Sequence, residues 1–85
     1  MQVFYTERFR RSYAAAPLRV QKQADKQLAF LVEDLRHPSL RTKKFDESRN
    51  IWQGRINLDW RFYFKIEGDA YYLYDSASQV TRTTS

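Results

Sequence analysis

The run WQGRINLDWRFYFKI, from Trp52 to Ile66, alternates between two kinds of side chain: its even positions are apolar or Gly, and its odd positions are polar, charged or Tyr. A period of two predicts β-strand, because successive side chains of a strand point to opposite faces of a sheet. One face is expected to be buried and aromatic, with Trp52 and Trp60 in the core. The other face presents Arg55 and Arg61 side by side. This face is suited to binding phosphate, because a planar guanidinium group can donate two hydrogen bonds to phosphate oxygens.

Length and charge limit what the chain can be. Its 85 residues are enough for one small domain. Lys and Arg number 15 against 10 Asp and Glu, a net charge of +5, which favours an anionic partner such as nucleic acid or an acidic protein. The charge is equally consistent with a domain that is simply basic. The chain has no Cys and a single His, so disulfides and thiolate metal sites are excluded. The N-terminus lacks an apolar segment, and we expect a cytoplasmic protein without membrane association.

Residues 7–36 carry helical patterns. Thr6 can cap a helix that begins at the next residue. Pro17 interrupts this helix and can occupy the first turn of a second one. The second helix has apolar residues at steps of three and four, namely Val20, Ala24, Leu28, Leu31 and Leu35. His37-Pro38 ends it, because the residue before Pro is disfavoured in the α region. The pattern predicts a helical hairpin.

The rest of the chain predicts a small sheet. One strand precedes the helices, and three strands follow a basic connector over Ser39–Asn50; the strands are Gln2–Tyr5, Ile51–Ile56, Trp60–Glu67 and Tyr71–Asp75. Residues 76–85 are rich in Ser and Thr, so we expect a polar, flexible tail after a domain over residues 1–75. The expected fold is α+β, in the order β-α-α-β-β-β. Its two-helix hairpin packs on one face of a mainly antiparallel sheet, and the other face stays open.

These elements and their motifs resemble the RelE/ParE superfamily of bacterial type II toxins over roughly residues 2–75. The resemblance depends on the helical hairpin, the basic KKF motif at 43–45, WQGRI at 52–56, and DWRFYF at 59–64. It implies a toxin that is neutralised by a cognate antitoxin. RelE-like members cleave mRNA in the ribosome without a metal or other cofactor, whereas ParE-like members inhibit DNA gyrase.

Three functions remain open under this resemblance. The first choice is a RelE-like mRNA endonuclease, the alternative is a gyrase inhibitor, and the third is an inactive homologue that only binds its antitoxin. For all three we expect an acidic antitoxin segment that folds over the open basic face of the toxin.

Metal-free RNA cleavage needs a base, an acid, and a cation that stabilises charge on the phosphoryl oxygens. The match to the family's strand motifs makes Arg55 and Arg61 the candidate catalytic residues. Contacts to RNA or phosphate are expected from side chains of the connector and the open face: Lys43, Lys44, Arg49 and Tyr63. A merely solvated role stays open for the lysines and for the arginine pair.

The C-terminal end departs from the family pattern. The family's last strand usually leads into a segment with Arg or Lys and a final Tyr or His, which often serves as acid or base. Here Tyr74-Asp75 leads into SASQVTRTTS, which contains neither Tyr nor His. Tyr74 and Arg82 are therefore further candidate site residues, and a complete acid–base pair is not assigned.

Overall fold

The computed structural model describes residues 2–78. The first three elements are a strand and two helices: β1 (Gln2–Tyr5), α1 (Glu7–Ala15) and α2 (Leu18–Glu33). A short 3-10 turn over Pro38–Leu40 leads to four more strands: β2 (Lys43–Asp46), β3 (Ile51–Arg55), β4 (Trp60–Glu67) and β5 (Ala70–Ser78). The α+β class with a helical hairpin is confirmed, and α2 ends at Glu33 rather than at residue 36.

The strands form one five-stranded sheet in the order β1-β5-β4-β3-β2. β1 runs parallel to β5, and the other neighbouring strands are antiparallel. Trp52 lies opposite Phe64 in the β3–β4 ladder, and Arg55 lies opposite Arg61. The alternation therefore sorts apolar and polar side chains between the two faces as predicted. No helix within residues 2–78 combines the length and the apolar character needed to cross a bilayer.

The core lies between the helices and the apolar face of the sheet. Its buried members come from both layers and include Phe9, Val20, Ala24, Leu28, Leu31, Phe62, Phe64, Tyr71 and Leu73. Trp52 and Trp60 pack against this cluster while remaining partly exposed. Gly54 leaves room for the Phe62 ring, since a Cβ at residue 54 would lie 2.7 Å from Cε1 of that ring. Removing these side chains from water is the main force that holds the two layers together.

The structure corrects the expected element list in two places. The basic connector contains the additional strand β2, which pairs with β3 and has a bulge between Lys44 and Asp46. At the other end, β5 continues to Ser78, so residues 76–78 belong to the sheet rather than to a flexible tail. Ser76 is 8% exposed. The composition of residues 76–78 alone indicates a tail, but the long strand β4 pairs with these residues and places them in the sheet. Residues 79–85 of the predicted tail lie outside the described residues.

Candidate functional site

The open face of the sheet carries a cavity of about 360 Å³, which we call the tyrosine site. Its lining residues come from α1, from the β2–β3 region, and from the two central strands: Arg8, Phe45, Arg49, Ile51, Tyr63, Tyr74 and Asp75. The cavity brings together three residues that the sequence singled out separately, namely Arg49, Tyr63 and Tyr74.

Two guanidinium groups flank Tyr74. Cζ of Arg8 lies 5.1 Å from the centroid of the Tyr74 ring, within the range of a cation–π contact. The pKa of Arg49 is raised above its usual value, chiefly by its hydrogen bond with Asp46 and by the charge of that carboxylate, and to a smaller extent by Tyr74. A hydroxyl beside two cations combines a group for proton transfer with groups that stabilise negative charge.

Asp75 holds Arg8 in this position. Nε of Arg8 donates to Oδ2 of Asp75 over 2.9 Å, and this hydrogen bond is the main reason why the pKa of Arg8 is raised. The other carboxylate oxygen accepts from Ser12 Oγ and from the backbone N–H of Ser76. Thr6 adds a second link, because its Oγ accepts from the Phe9 N–H as the α1 cap and donates to the Leu73 carbonyl. α1 is thereby tied to β5 beside the tyrosine site.

Arg49 is held by the turn between β2 and β3. Its Nε donates to Oδ2 of Asp46 over 2.8 Å. The second carboxylate oxygen accepts from Ser48 Oγ and from the Arg49 backbone N–H. These interactions, with the Arg49 side chain first, lower the pKa of Asp46 to about 2. Asp46 is therefore ionised at neutral pH, and the cation beside Tyr74 has a defined anchor.

An aromatic pair forms another part of the cavity. The rings of Phe45 and Tyr63 lie 4.8 Å apart between centroids, with a tilt of 53°. Phe45 occupies the bulge of β2 and is 54% exposed. A large exposed ring beside cations is suited to stacking on an unpaired nucleic acid base.

Arg55 and Arg61 are partners in the β3–β4 ladder, but their side chains have different surroundings. Nη1 of Arg61 donates to the carbonyls of Asn57 and Trp60 at 2.8 and 3.0 Å, so it supports the β3–β4 turn. Arg55 instead lines a second cavity of about 550 Å³ at the end of β3, which we call the end cavity. Its other lining residues are Gln27, His37, Pro38, Ser39, Arg41, Ile56 and Asn57.

The fold of this chain is similar to solved structures of other proteins. No protein-family model and no curated protein matches the sequence. The YoeB/ParE toxin from Agrobacterium tumefaciens matches with a TM-score of 0.77 at 12% identity, over 92% of this chain and 98% of that one. YafQ from E. coli strain BL21(DE3) matches with a TM-score of 0.76 at 14% identity, over 92% of each chain. The chain has a RelE/ParE-like toxin fold.

A third structure with the RelE/ParE-like fold is the RelB-RelE antitoxin-toxin complex from Methanococcus jannaschii. A chain of that complex matches with a TM-score of 0.72 at 13% identity, over 89% of each chain. At sequence identities this low, the structural similarity shows a shared fold and nothing more specific.

The RelE/ParE-like fold does not bring every predicted site residue to the tyrosine site. Lys43 is exposed and lies opposite Gln53 in the β2–β3 ladder. Lys44 lies on the apolar side, with Nζ 4.9 Å from the Trp52 ring centroid and 3.6 Å from Glu47 Oε1. Arg82 lies outside the described residues. Within residues 2–78 no group of three or more His, Asp or Glu side chains is placed to hold a metal ion.

Arg8 and Phe45 are site residues that the sequence did not indicate as such. Arg8 reaches the tyrosine site through Asp75, which is 67 positions away in the chain, so no local pattern connects the two residues. Phe45 belongs to the KKF motif, which was a usable signal. Its aromatic ring within a basic segment was a reason to expect a base-stacking residue.

Proposed function

We propose that this chain is the toxin of a type II toxin–antitoxin pair and acts in the cytoplasm as a RelE-like, ribosome-dependent mRNA endonuclease. The fold supports the toxin role, since matched structures are described as toxins and as antitoxin-toxin complexes. The observation that carries the nuclease assignment is the Tyr74 phenol flanked by Arg8 and Arg49 on the open face.

The proposed chemistry is attack of a ribose 2′-oxygen on the neighbouring phosphorus, which breaks the bond to the 5′-oxygen and leaves a 2′,3′-cyclic phosphate. Arg8 and Arg49 stabilise the charge that develops on the phosphoryl oxygens. Tyr74 donates its proton to the leaving 5′-oxygen. Asp75 and Asp46 are each paired with an arginine, and in this proposal the proton of the 2′-hydroxyl passes to a general base of the ribosomal complex, such as a ring nitrogen of an rRNA base. This division of roles predicts that cleavage requires the ribosome.

Other residues of the open face bind the RNA around the scissile bond. Phe45 and Tyr63 provide an aromatic surface for an unstacked base. Lys43, Arg55 and the guanidinium nitrogens of Arg61 that do not contact the turn bind flanking phosphates. Single-stranded RNA suits this surface because its bases are accessible for stacking.

The decisive experiment compares the wild-type chain with Tyr74→Phe in a translation reaction reconstituted from purified components. The wild-type chain is expected to cut translated mRNA at positions mapped by primer extension. Tyr74→Phe keeps the ring against Arg8 but removes the hydroxyl, and the cleavage rate is expected to fall by about 10²- to 10⁴-fold. Tyr72→Phe is the matched control, because Tyr72 lies on the same strand but stacks on Phe4; it should cleave like the wild type.

The outcomes separate the competing functions. Intact mRNA with folded wild-type protein refutes the nuclease proposal. If the same protein inhibits DNA supercoiling by gyrase, the alternative function is assigned. Equal cleavage by Tyr74→Phe and wild type would leave the nuclease activity standing but remove Tyr74 from its mechanism.

The proposed partner is a cognate antitoxin with an acidic segment that covers the open face. The net charge of +5 favours fast association with such a segment. Covering the face should protect Arg55 from modification by phenylglyoxal, measured by mass spectrometry of the complex. Arg19, an exposed residue of α2, serves as the reference, and equal modification of Arg55 with and without antitoxin would contradict this arrangement.

A further inference from the structure

The end cavity presents charged groups toward a ligand, because its neutral polar groups already have partners. Nε2 of Gln27 donates to the carbonyls of Ser39 and Arg55 at 3.0 and 2.7 Å, and its Oε1 accepts from Ser39 Oγ. Nδ2 of Asn57 donates to Gln23, and its Oδ1 accepts from two backbone N–H groups. A neutral polar ligand would have to displace these bonds.

The charged groups of the end cavity are all basic. Arg41 and Arg55 line it, no acidic side chain does, and no carboxylate within residues 2–78 forms an ion pair with either arginine. Arg41 also has an uncommon backbone, with φ of 48° directly after the 3-10 turn. Two guanidinium groups without an internal carboxylate are suited to an external oxyanion.

His37 adds a third donor to the cavity. Its ring stacks on Phe30 with 3.9 Å between centroids and 7° between planes, so its position is defined. Nδ1 accepts from the Ser39 backbone N–H at 3.2 Å. Oγ of Ser39 lies 3.1 Å from the same nitrogen, so Nε2 is the ring nitrogen left to contact a ligand.

We propose that the end cavity binds a phosphate group of single-stranded RNA, adjacent to the nucleotide held at the tyrosine site. This inference depends on the proposed function for the identity of its ligand. Arg55 connects the two cavities: it lies opposite Arg61, and Arg61 lies two residues from Tyr63 on the same face, a step of about 7 Å along a strand. One continuous RNA strand can therefore contact both cavities.

Binding is tested without cleavage by titrating the protein with a short RNA trinucleotide whose riboses carry 2′-O-methyl groups. His37 is the only His of the chain, so its ring resonances are unambiguous in an NMR spectrum. They are expected to shift saturably. Arg41→Gln/Arg55→Gln should abolish this shift and weaken binding at least tenfold. The double variant should also reduce the slope of log affinity against log salt by roughly 0.7 for each phosphate that the protein no longer binds.

The matched control is Arg19→Gln/Arg36→Gln, which removes the same charge from exposed positions outside both cavities and should bind like the wild type. The proposal is overturned if the trinucleotide binds without shifting His37, if both double variants bind equally, or if inorganic phosphate at the same concentration shifts His37 as strongly as the trinucleotide. The assay uses no ribosome and an RNA that cannot be cut. An inactive wild-type enzyme would therefore refute the proposed function and leave this binding result unaffected.

Discussion

Arg55 and Arg61 face each other across the β3–β4 ladder without forming a joint cationic pair, because Arg61 bonds to carbonyls of the turn. Like charges directly opposite each other destabilise an antiparallel pair. The turn carbonyls bind the Arg61 guanidinium group, whereas Arg55 lines the end cavity. The two arginines therefore have different surroundings although they are ladder partners.

This division predicts different effects on stability. Arg61→Ala removes the hydrogen bonds to the turn and should lower the free energy of unfolding by about 1–3 kcal/mol. Arg55→Ala should change it by less than about 0.5 kcal/mol, since no carboxylate of residues 2–78 forms an ion pair with its side chain. Urea denaturation measures both variants. Equal destabilisation would show that the turn contacts of Arg61 do not support the fold.

A larger residue at position 54 is expected to lower the stability of the fold, because Gly54 packs directly against the Phe62 ring. A Cβ at residue 54 would overlap Phe62, whose side chain is 1% exposed and stacks on the Phe64 ring. Gly54→Ala should therefore destabilise the fold by about 1–3 kcal/mol. Combining it with Phe62→Leu should produce less destabilisation than the sum of the single changes, because the overlap is relieved. Thermal unfolding of the three variants tests this, and strict additivity would refute it.

The period-two run allowed the β3–β4 pairing to be predicted, because Trp52 and Phe64 must share the apolar face for the core to form. β2 was not predicted, since its four residues include a bulge and show no alternation. The end of β5 was missed for a similar reason. Its last residues are held by the β4 ladder and have no apolar pattern of their own.

The candidate site was predictable only in part. Arg49, Tyr63 and Tyr74 were chosen singly, and their meeting in one cavity depends on how β2 and β5 lie beside the central hairpin. Arg8 could not be found, because its position over Tyr74 depends on Asp75 at the far end of the chain. The hydrogen bonds of the Arg61 side chain depend on the conformation of the β3–β4 turn. The alternation of residues along a strand does not predict that conformation.

Gln27 should be required for both stability and the shape of the end cavity. It is 7% exposed and bonds to Ser39 and to the Arg55 carbonyl. Gln27→Met keeps the length of the side chain but removes the donor to two part-buried carbonyls, so we expect the free energy of unfolding to fall by about 1–3 kcal/mol. Gln23→Met, at an exposed position of the same helix, should cost less than about 0.5 kcal/mol. Guanidinium chloride unfolding distinguishes the two, and similar midpoints would contradict the role of Gln27.

Asp46 predicts how the tyrosine site responds to acid. Its pKa is lowered to about 2, first by Arg49 and then by Ser48, so the folded state binds the proton less readily than the unfolded state. The Asp46–Arg49 contact therefore stabilises the fold fully above the ordinary carboxyl pKa near 3.8, and this contribution is lost as pH falls through about 2. Carbon-detected NMR titration of the Asp46 carboxyl group measures the midpoint directly. Arg49→Ala should raise it toward 3.8, and Ser48→Ala should raise it less; a midpoint near 3.8 in the wild type would show that Arg49 is not anchored by this carboxylate in solution.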